Sequence, residues 1–369
     1  MKKLSILFIL LFSVYSVFPQ SGSCWTIFRG NQNLTGNLAV KLNGSFKLLW
    51  SFSTGDDIKS SPVVCKDRVV TGSTDGNVYC ISTAGKQLWK FNTGNSIEAS
   101  ALILDNMVYI GNMDGVFFAL DLNSGVKKWE YKTDGQIVGS ANWWKEGKLS
   151  CLLVGSYDYN LHCIDAVTGK GLWKYESDNY INGSAACSGG KAMFGGCDGF
   201  LHVVDIKTGK ADKKIELGTY VAGSAAVEGK KVWVGNYDGG FTAVDLEKGK
   251  PDWTWNDEKT ALPFIASPAV AENRIITAND NKMTYCFEKS SGKLMWSYNT
   301  GSKVEASPVA AVDKVLVANM RGDLALLNLG DGKPVWTYEL GGSVTSNPAV
   351  YDGKIYVGNT DGNVYCFGK

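Results

Sequence analysis

The sequence predicts an all-β protein, an eight-bladed β-propeller of four-stranded antiparallel blades in which an N-terminal strand completes the last blade. Three observations predict it. A phrase of about 40 residues returns around the whole chain, each return has room for four short strands, and the two chain ends carry complementary parts of one unit.

The phrase is clearest from Ala119-Leu-Asp121-Leu-Asn-Ser124-Gly125 to Trp129. It returns as Cys163-Ile-Asp165-Ala-Val-Thr168-Gly169-Lys170 to Trp173, then from Ala243 to Trp253, Cys286 to Trp296 and Leu326 to Trp336. A shortened copy runs from Cys80 to Trp89, and a weaker one from Val203 places Lys213 in the Trp slot. With Trp50 as the first anchor, slots 50, 89, 129, 173, 213, 253, 296 and 336 are separated by 39, 40, 44, 40, 40, 43 and 40 residues.

Within one unit the strands follow in order. After Trp129 a first strand is expected over Ile137 to Trp143 and a second over Lys148 to Gly155. A tight turn then leads to Leu161-His162-Cys163-Ile164, and Gly169 turns the chain into the Trp strand. The turn between second and third strands is Asp-Gly in five copies: Asp75-Gly76, Asp114-Gly115, Asp198-Gly199, Asp238-Gly239 and Asp361-Gly362. Asp-Gly between alternating strands signals a hairpin, with both central residues expected at positive φ. The chain begins its repeats with a lone Trp strand around Lys47 to Phe52 and ends just after a third strand, Val364 to Phe367. The orphan first strand therefore closes the ring and removes the free edge.

Repetition assigns structural roles. Trp50, Trp89, Trp129, Trp173, Trp253, Trp296 and Trp336 are docking residues, each burying on the order of 150–250 Å² between neighbouring blades. The Asp two positions after the small slot holds a turn through its carboxylate. Cys80, Cys163, Cys286 and Cys366 share a slot that accepts Ala119 or Ala243 elsewhere, so they read as small buried hydrophobes. On that ground the nine cysteines are not expected to form a disulfide framework, and no Cys-x-x-Cys spacing points to zinc.

Composition agrees. With 43 Gly, 12 Trp and only 8 Pro, the chain is turn-rich and aromatic, and 37 basic against 36 acidic residues give no electrostatic reason for a nucleic-acid partner. Lys2, Lys3 and the apolar run Leu4 to Phe18 read as an export signal. The expected division is a signal peptide over 1–23, a lead-in arm over 24–44 and the propeller over 45–369. Cleavage after Ser23 would expose Cys24, a candidate lipidation site, although Ser21-Gly22-Ser23 lacks the usual apolar residue before it. Three glycosylation triplets, at Asn33, Asn43 and Asn182, are assigned no role.

The ideal phrase A-x-D-x-x-T-G-K-x-x-W resembles the tryptophan-docking repeat of the pyrroloquinoline-quinone-type β-propellers over about residues 45–369. Trp25-Thr26-Ile27-Phe28-Arg29-Gly30 is similar to the W-x-x-F-R-G lead-in of that superfamily. Size and export signal most resemble its outer-membrane assembly lipoproteins, the BamB family. The resemblance implies a non-catalytic scaffold of the bacterial envelope, periplasmic, outer-membrane-associated or secreted, that docks a partner protein or membrane-associated complex. Quinone-dependent oxidoreductases belong to the same superfamily and imply the alternative, with pyrroloquinoline quinone and Ca²⁺ as cofactors. The resemblance also implies what such an enzyme needs: a Glu–Asn cation site, an Asp base and often a vicinal Cys pair. Adjacent cysteines are absent. No catalytic, cofactor or metal residue is assigned.

Aligning the units puts Lys59, Glu98, Val138, Asn182, Ala222, Ile265, Glu305 and Thr345 at equivalent channel-mouth positions. Glu98, Asn182 and Glu305 are of the type that holds a hard cation, but they fall in blades two, four and seven. The units differ from one another mainly on that face. Tyr157 and Tyr159 flank Asp158 in the blade-three turn, with Tyr159 where other copies carry Gly, which implies an altered or strained turn. Tyr180, Tyr220 and Tyr237 extend these into an aromatic arc over blades three to five, a candidate contact patch for a protein segment or a glycan. Trp143-Trp144 sits on the opposite face. Alternation sends one ring into the core and leaves the other, with Trp144 as the lesser site candidate, partly exposed.

Overall fold

The computed structural model describes residues 24–257 and 260–369; the expected signal peptide over 1–23 lies outside the described residues. Eight four-stranded antiparallel sheets surround one axis. Blades one to seven span 63–92, 102–132, 142–176, 186–216, 226–256, 269–299 and 309–339. Blade eight takes its three inner strands from 349–368 and its outer strand from Lys47–Ser53 at the other end of the chain. Trp50 lies opposite Cys366, and Ser53 opposite Asn363.

The register explains the repeat. Each Trp is paired across the sheet with the small slot: Cys80 with Trp89, Ala119 with Trp129, Cys163 with Trp173, Cys286 with Trp296. A bulge follows at once in each case. The slot holds Cys or Ala in most blades, and Leu326 takes it opposite Trp336, so it is a buried apolar position rather than one restricted to small side chains. The four slot cysteines are buried free thiols, and burial pushes Cys80 and Cys286 up to about 12.

Each indole reaches the next blade. Trp50, Trp89, Trp173 and Trp296 donate Nε1–H to the carbonyls of Thr83, Leu122, Ile206 and Leu329 at 2.8–3.0 Å. The ring lies against the glycine of the next blade's outer turn: a Cβ on Gly125, Gly169, Gly209 or Gly332 would meet an indole atom at 2.6–2.7 Å. That glycine serves the Trp of the preceding blade rather than the strand it precedes. Lys213 imitates the missing Trp, its ammonium donating to the Leu246 carbonyl at 2.6 Å. The indole itself has no substitute, and nothing lies within 4 Å of a Cβ on Gly249.

Three expectations are corrected. In the Asp-Gly turns only the glycine is left-handed, at φ 82°, 75°, 82°, 80° and 73° for Gly76, Gly115, Gly199, Gly239 and Gly362, while the Asp residues keep negative φ. These are three-residue hairpins built on a type I turn and a left-handed residue, not type I′ turns. Blade three's first strand is Asn142–Glu146, not Ile137 to Trp143. Residues 137–141 run too near the axis to join a ladder and bond across blades instead. Finally, Cys24 and Cys65 form a disulfide. Neither occupies the repeat slot on which the free-thiol argument rested. That sulfur cannot also carry a lipid thioether, so the disulfide and Cys24 lipidation exclude each other.

The disulfide starts an arm that crosses the ring. Backbone N–H groups on the innermost strands of blades two, four, five, six and seven (Ile103, Cys187, Val227, Val270 and Ala310) donate to Thr26, Gln32, Asn33, Thr35 and Gly36 at 2.8–2.9 Å. Trp25 and Val64 of blade one exchange both bonds. The arm thereby satisfies the edges that converge on the axis. Arg29, in a one-turn 3-10 segment (Phe28–Gly30), is 1% exposed and donates Nη2–H to the Pro268 carbonyl. Burial lowers its pKa to about 9, so it enters the core charged at neutral pH.

Candidate functional site

At the axis, eight cross-blade hydrogen bonds form a closed circle. The backbone N–H of Ser61 donates to Ser100 Oγ, Ser100 to Ser140, Ser140 to Ser184, Ser184 to Ser224, Ser224 to Ser267 and Ser267 to Ser307. Ser307 donates to Asn347 Oδ1, and Asn347 N–H returns to Ser61 Oγ at 2.8 Å. At about 1 kcal/mol each, such bonds fix blade spacing where apolar packing is thinnest. The serines stand two residues beyond the channel-mouth positions and share their period, a sequence signal that the reading of single mouth residues passed over.

The circle walls a cavity of about 200 Å³ whose far end is closed by Phe28 of the arm. All eight aligned mouth positions line it. Lys59 and Glu98 are joined as an ion pair at 2.7 Å, and that bond to Glu98 raises the Lys59 pKa. Burial raises the Glu305 carboxyl above its usual range. Asn182 Nδ2 lies 3.2 Å from Cys197 Sγ, and its buried Oδ1 has no hydrogen-bond partner among the described residues. Lys59, Glu98, Asn182 and Glu305 thus share one cavity, with Lys59 paired to Glu98 and within electrostatic reach of Glu305. No group of three or more His, Cys, Asp or Glu side chains gathers as for a metal ion among the described residues.

The turns between second and third strands lie on this open face, tied to the loops that lead into the first strands. Tyr157 N–H bonds the Gln136 carbonyl, Cys197 bonds Tyr180, and Tyr237 bonds Tyr220, at 2.9–3.0 Å. The tyrosine arc forms two groups. Tyr180 packs against Tyr157 and Tyr159 with ring centroids 4.7 and 5.1 Å apart, bridging blades three and four. Tyr220 and Tyr237 pair at 6.0 Å on blade five. Tyr159, Tyr180, Tyr220 and Tyr237 are all exposed, whereas Tyr157 is half-buried toward the axis, within electrostatic reach of Glu98 and Cys197. Tyr159 does adopt the left-handed conformation of the glycine it replaces, at φ 71°. A non-glycine residue there costs about 1 kcal/mol, and the turn holds it through Asp158.

That Asp158 also clamps His162. Its carboxylate lies 2.9 Å from Nε2, and Tyr131 OH lies 3.0 Å from Nδ1. Asp198, His202 and Tyr175 repeat the arrangement in blade four. Both imidazoles are fully buried, and burial lowers their pKa values, so these are neutral staples of the turns rather than acid–base groups in contact with solvent. The Trp143-Trp144 pair diverges as alternation requires, but neither ring is fully core. Both are half-buried, Trp143 against the packing of blades two and three and Trp144 against that of blades three and four.

Comparison with known proteins agrees with this architecture. A family model described as outer membrane protein assembly factor BamB matches residues 40–143, 148–260 and 254–367. No curated protein sequence matches significantly. Among solved structures, BamB from Moraxella catarrhalis is similar with a TM-score of 0.76 and 18% identity, covering 88% of this chain and all of that one. Quinohemoprotein alcohol dehydrogenase from Comamonas testosteroni gives 0.77 and 14%, covering 94% of this chain and 81% of that one. A europium-containing methanol dehydrogenase gives 0.79 and 13%, with 95% and 99% covered. At these identities the structural likenesses carry the fold alone.

Proposed function

The chain belongs to the family described as outer membrane protein assembly factor BamB, and from that premise we propose that it is a non-catalytic scaffold of the bacterial cell envelope that docks a partner protein through its tyrosine-bearing face. The observation that carries this reading is the exposure of Tyr159, Tyr180, Tyr220 and Tyr237 in two packed groups on the face that the arm leaves open. Rigid, pre-packed aromatic rings lose little conformational entropy on contact, which is why they anchor interfaces. The propeller supplies a stiff platform, since every blade is fixed to its neighbours by an indole or ammonium outside and by the serine circle inside.

The mouth residues do not fit a quinone held with a divalent cation. Glu98 is already paired with Lys59, whose charge also acts on Glu305, and the cavity of about 200 Å³ falls below the range of ordinary cofactor sites. A periplasmic or outer-membrane-associated location follows from the family premise.

The test is affinity purification from envelope extracts after crosslinking, with mass spectrometry. The wild-type chain is expected to bring down a membrane-associated protein complex, and Tyr157→Ser/Tyr159→Ser/Tyr237→Ser is expected to lose it while melting normally. An uncrosslinked monomer, or equal recovery with the triple variant, removes the proposal. Measured uptake of pyrroloquinoline quinone with Ca²⁺ would favour the oxidoreductase reading instead.

A further inference from the structure

A second site lies on the opposite face, between blades five and six, where Lys289 lines the blade interface. The residue after the turn Asp, or after Asn328 in blade seven, is Leu122, Ala166, Ile206, Leu246 or Leu329 in five blades, and Thr83 holds the place in blade one. In each of the five, its N–H bonds a carbonyl of the neighbouring turn and its side chain packs into the interblade core. In blade six the same backbone position, with the same bond to Asn273, is Lys289. Its side chain turns aside to Glu228, 2.6 Å away, and crosses the Trp233 ring at 6.0 Å. Beside it lies a pocket of about 400 Å³, within the size range of small-molecule sites.

Its floor carries an unmet hydrogen-bond donor. Trp233 is 1% exposed, lines this pocket, and its Nε1–H has no hydrogen-bond partner among the described residues. The register-equivalent residue in blade two, Tyr109, meets the next blade through its hydroxyl, which donates to Ala166 O at 3.1 Å. The corresponding carbonyl in blade six, that of Lys289, instead accepts from Trp253 at 3.4 Å. Half-buried Trp253 forms a wall, and the lining carries Glu228, Asp252, Glu272 and Glu288, with Lys289 paired to Glu228 and Lys231 paired to Asp252.

These groups select a ligand class. A simple anion would satisfy the indole N–H but face four carboxylates, with both nearby ammonium groups already paired to Glu228 and Asp252. A simple cation suits the rim and the aromatic faces but has no lone pair for the indole. A pyranose ring has hydroxyl oxygens to accept from the indole and hydroxyl hydrogens to donate to carboxylates, and its C–H face packs on an indole. We propose that the pocket between blades five and six is a saccharide site, with Trp233 Nε1–H as its buried donor and Lys289 as the residue that keeps it open.

The test uses full-length mature protein labelled with ¹⁵N at the tryptophan indoles and titrated separately with the methyl glycosides of glucose, galactose, mannose and N-acetylglucosamine. The Trp233 resonance, identified by its loss in Trp233→Phe, is expected to shift saturably with at least one of them, with Kd on the order of 1 mM. Lys289→Leu introduces the aliphatic residue found in five other blades, should keep the melting temperature or raise it, and is expected to weaken binding roughly tenfold or more. No saturable shift with any of the four sugars overturns the proposal, as does wild-type affinity in Lys289→Leu.

Discussion

Replacing Lys213 by Trp tests the docking logic where the protein itself departs from it. The ammonium of Lys213 already makes the bond to Leu246 O that an indole N–H makes elsewhere, so the change leaves that bond in place and adds the ring. The space is present, because Gly249 has no neighbour where Gly209 and Gly292 have indole atoms at 2.6 and 2.5 Å. A fully buried indole removes about 150–250 Å² from water, or roughly 4–6 kcal/mol at ~25 cal/mol per Å². Five of the seven native anchors are only half-buried, and the Lys213 stem already covers part of the surface. Less than half of that figure, about 1.5–2.5 kcal/mol, is therefore expected. With an unfolding entropy of roughly 2.1 cal/mol/K per residue, a chain of this length gains about 2–4 °C in melting temperature. Thermal melts and urea unfolding followed by circular dichroism measure both quantities. A melting temperature equal to or below wild type would show that the anchors do not stabilise the ring by filling the space over the glycine.

The same geometry separates two glycines: Gly249→Ala should cost about 1 kcal/mol for its left-handed backbone, whereas Gly292→Ala also strikes the Trp253 ring and should cost more than about 3 kcal/mol. Equal losses in urea titrations would contradict the placement of the indole. The Cys24–Cys65 disulfide, which joins residues 41 apart, should contribute up to about 4 kcal/mol by loop closure; Cys24→Ser and reductant should produce the same fall in stability, and reductant should not affect the variant. Burial pushes Tyr79, Tyr109 and Tyr285 up to about 12 from the usual 10. Above pH 10 the unfolded chain loses phenolic protons that the folded one keeps, so stability present below pH 10 is lost as pH rises toward 12, by up to about 3 kcal/mol per residue. Tyr109→Phe should flatten that decline, and an unchanged pH profile would refute the assignment for Tyr109.

Much of this architecture could be read from residue order because a repeat makes each position legible eight times. The Trp–small-slot pairing, the turn Asp, the blade count and the seam between Trp50 and Cys366 all follow from comparing units. What resisted reading was whatever occurs once. Cys24 and Cys65 belong to no repeat slot, so their pairing had no internal precedent. The arm's course under six of the blades depends on backbone bonds, which no side-chain pattern announces. Tyr159 was legible because it breaks a glycine position. Lys289 breaks an aliphatic position just as plainly, but its consequence depends on Trp233, which only the ring brings beside it.

The seam at Lys47–Ser53 has a consequence for how this chain must be made. A polypeptide delivered from its N-terminus presents Trp50 and Phe52 long before Asn363–Gly368, the segment they pair with, has emerged. The arm waits similarly for carbonyl and amide partners as distant as Ala310. Every incomplete chain therefore carries an unpaired, apolar leading strand, the kind of edge that recruits other chains. Completion of Asn363–Gly368 is what hides it, so loss of that segment should expose Lys47–Ser53 as well.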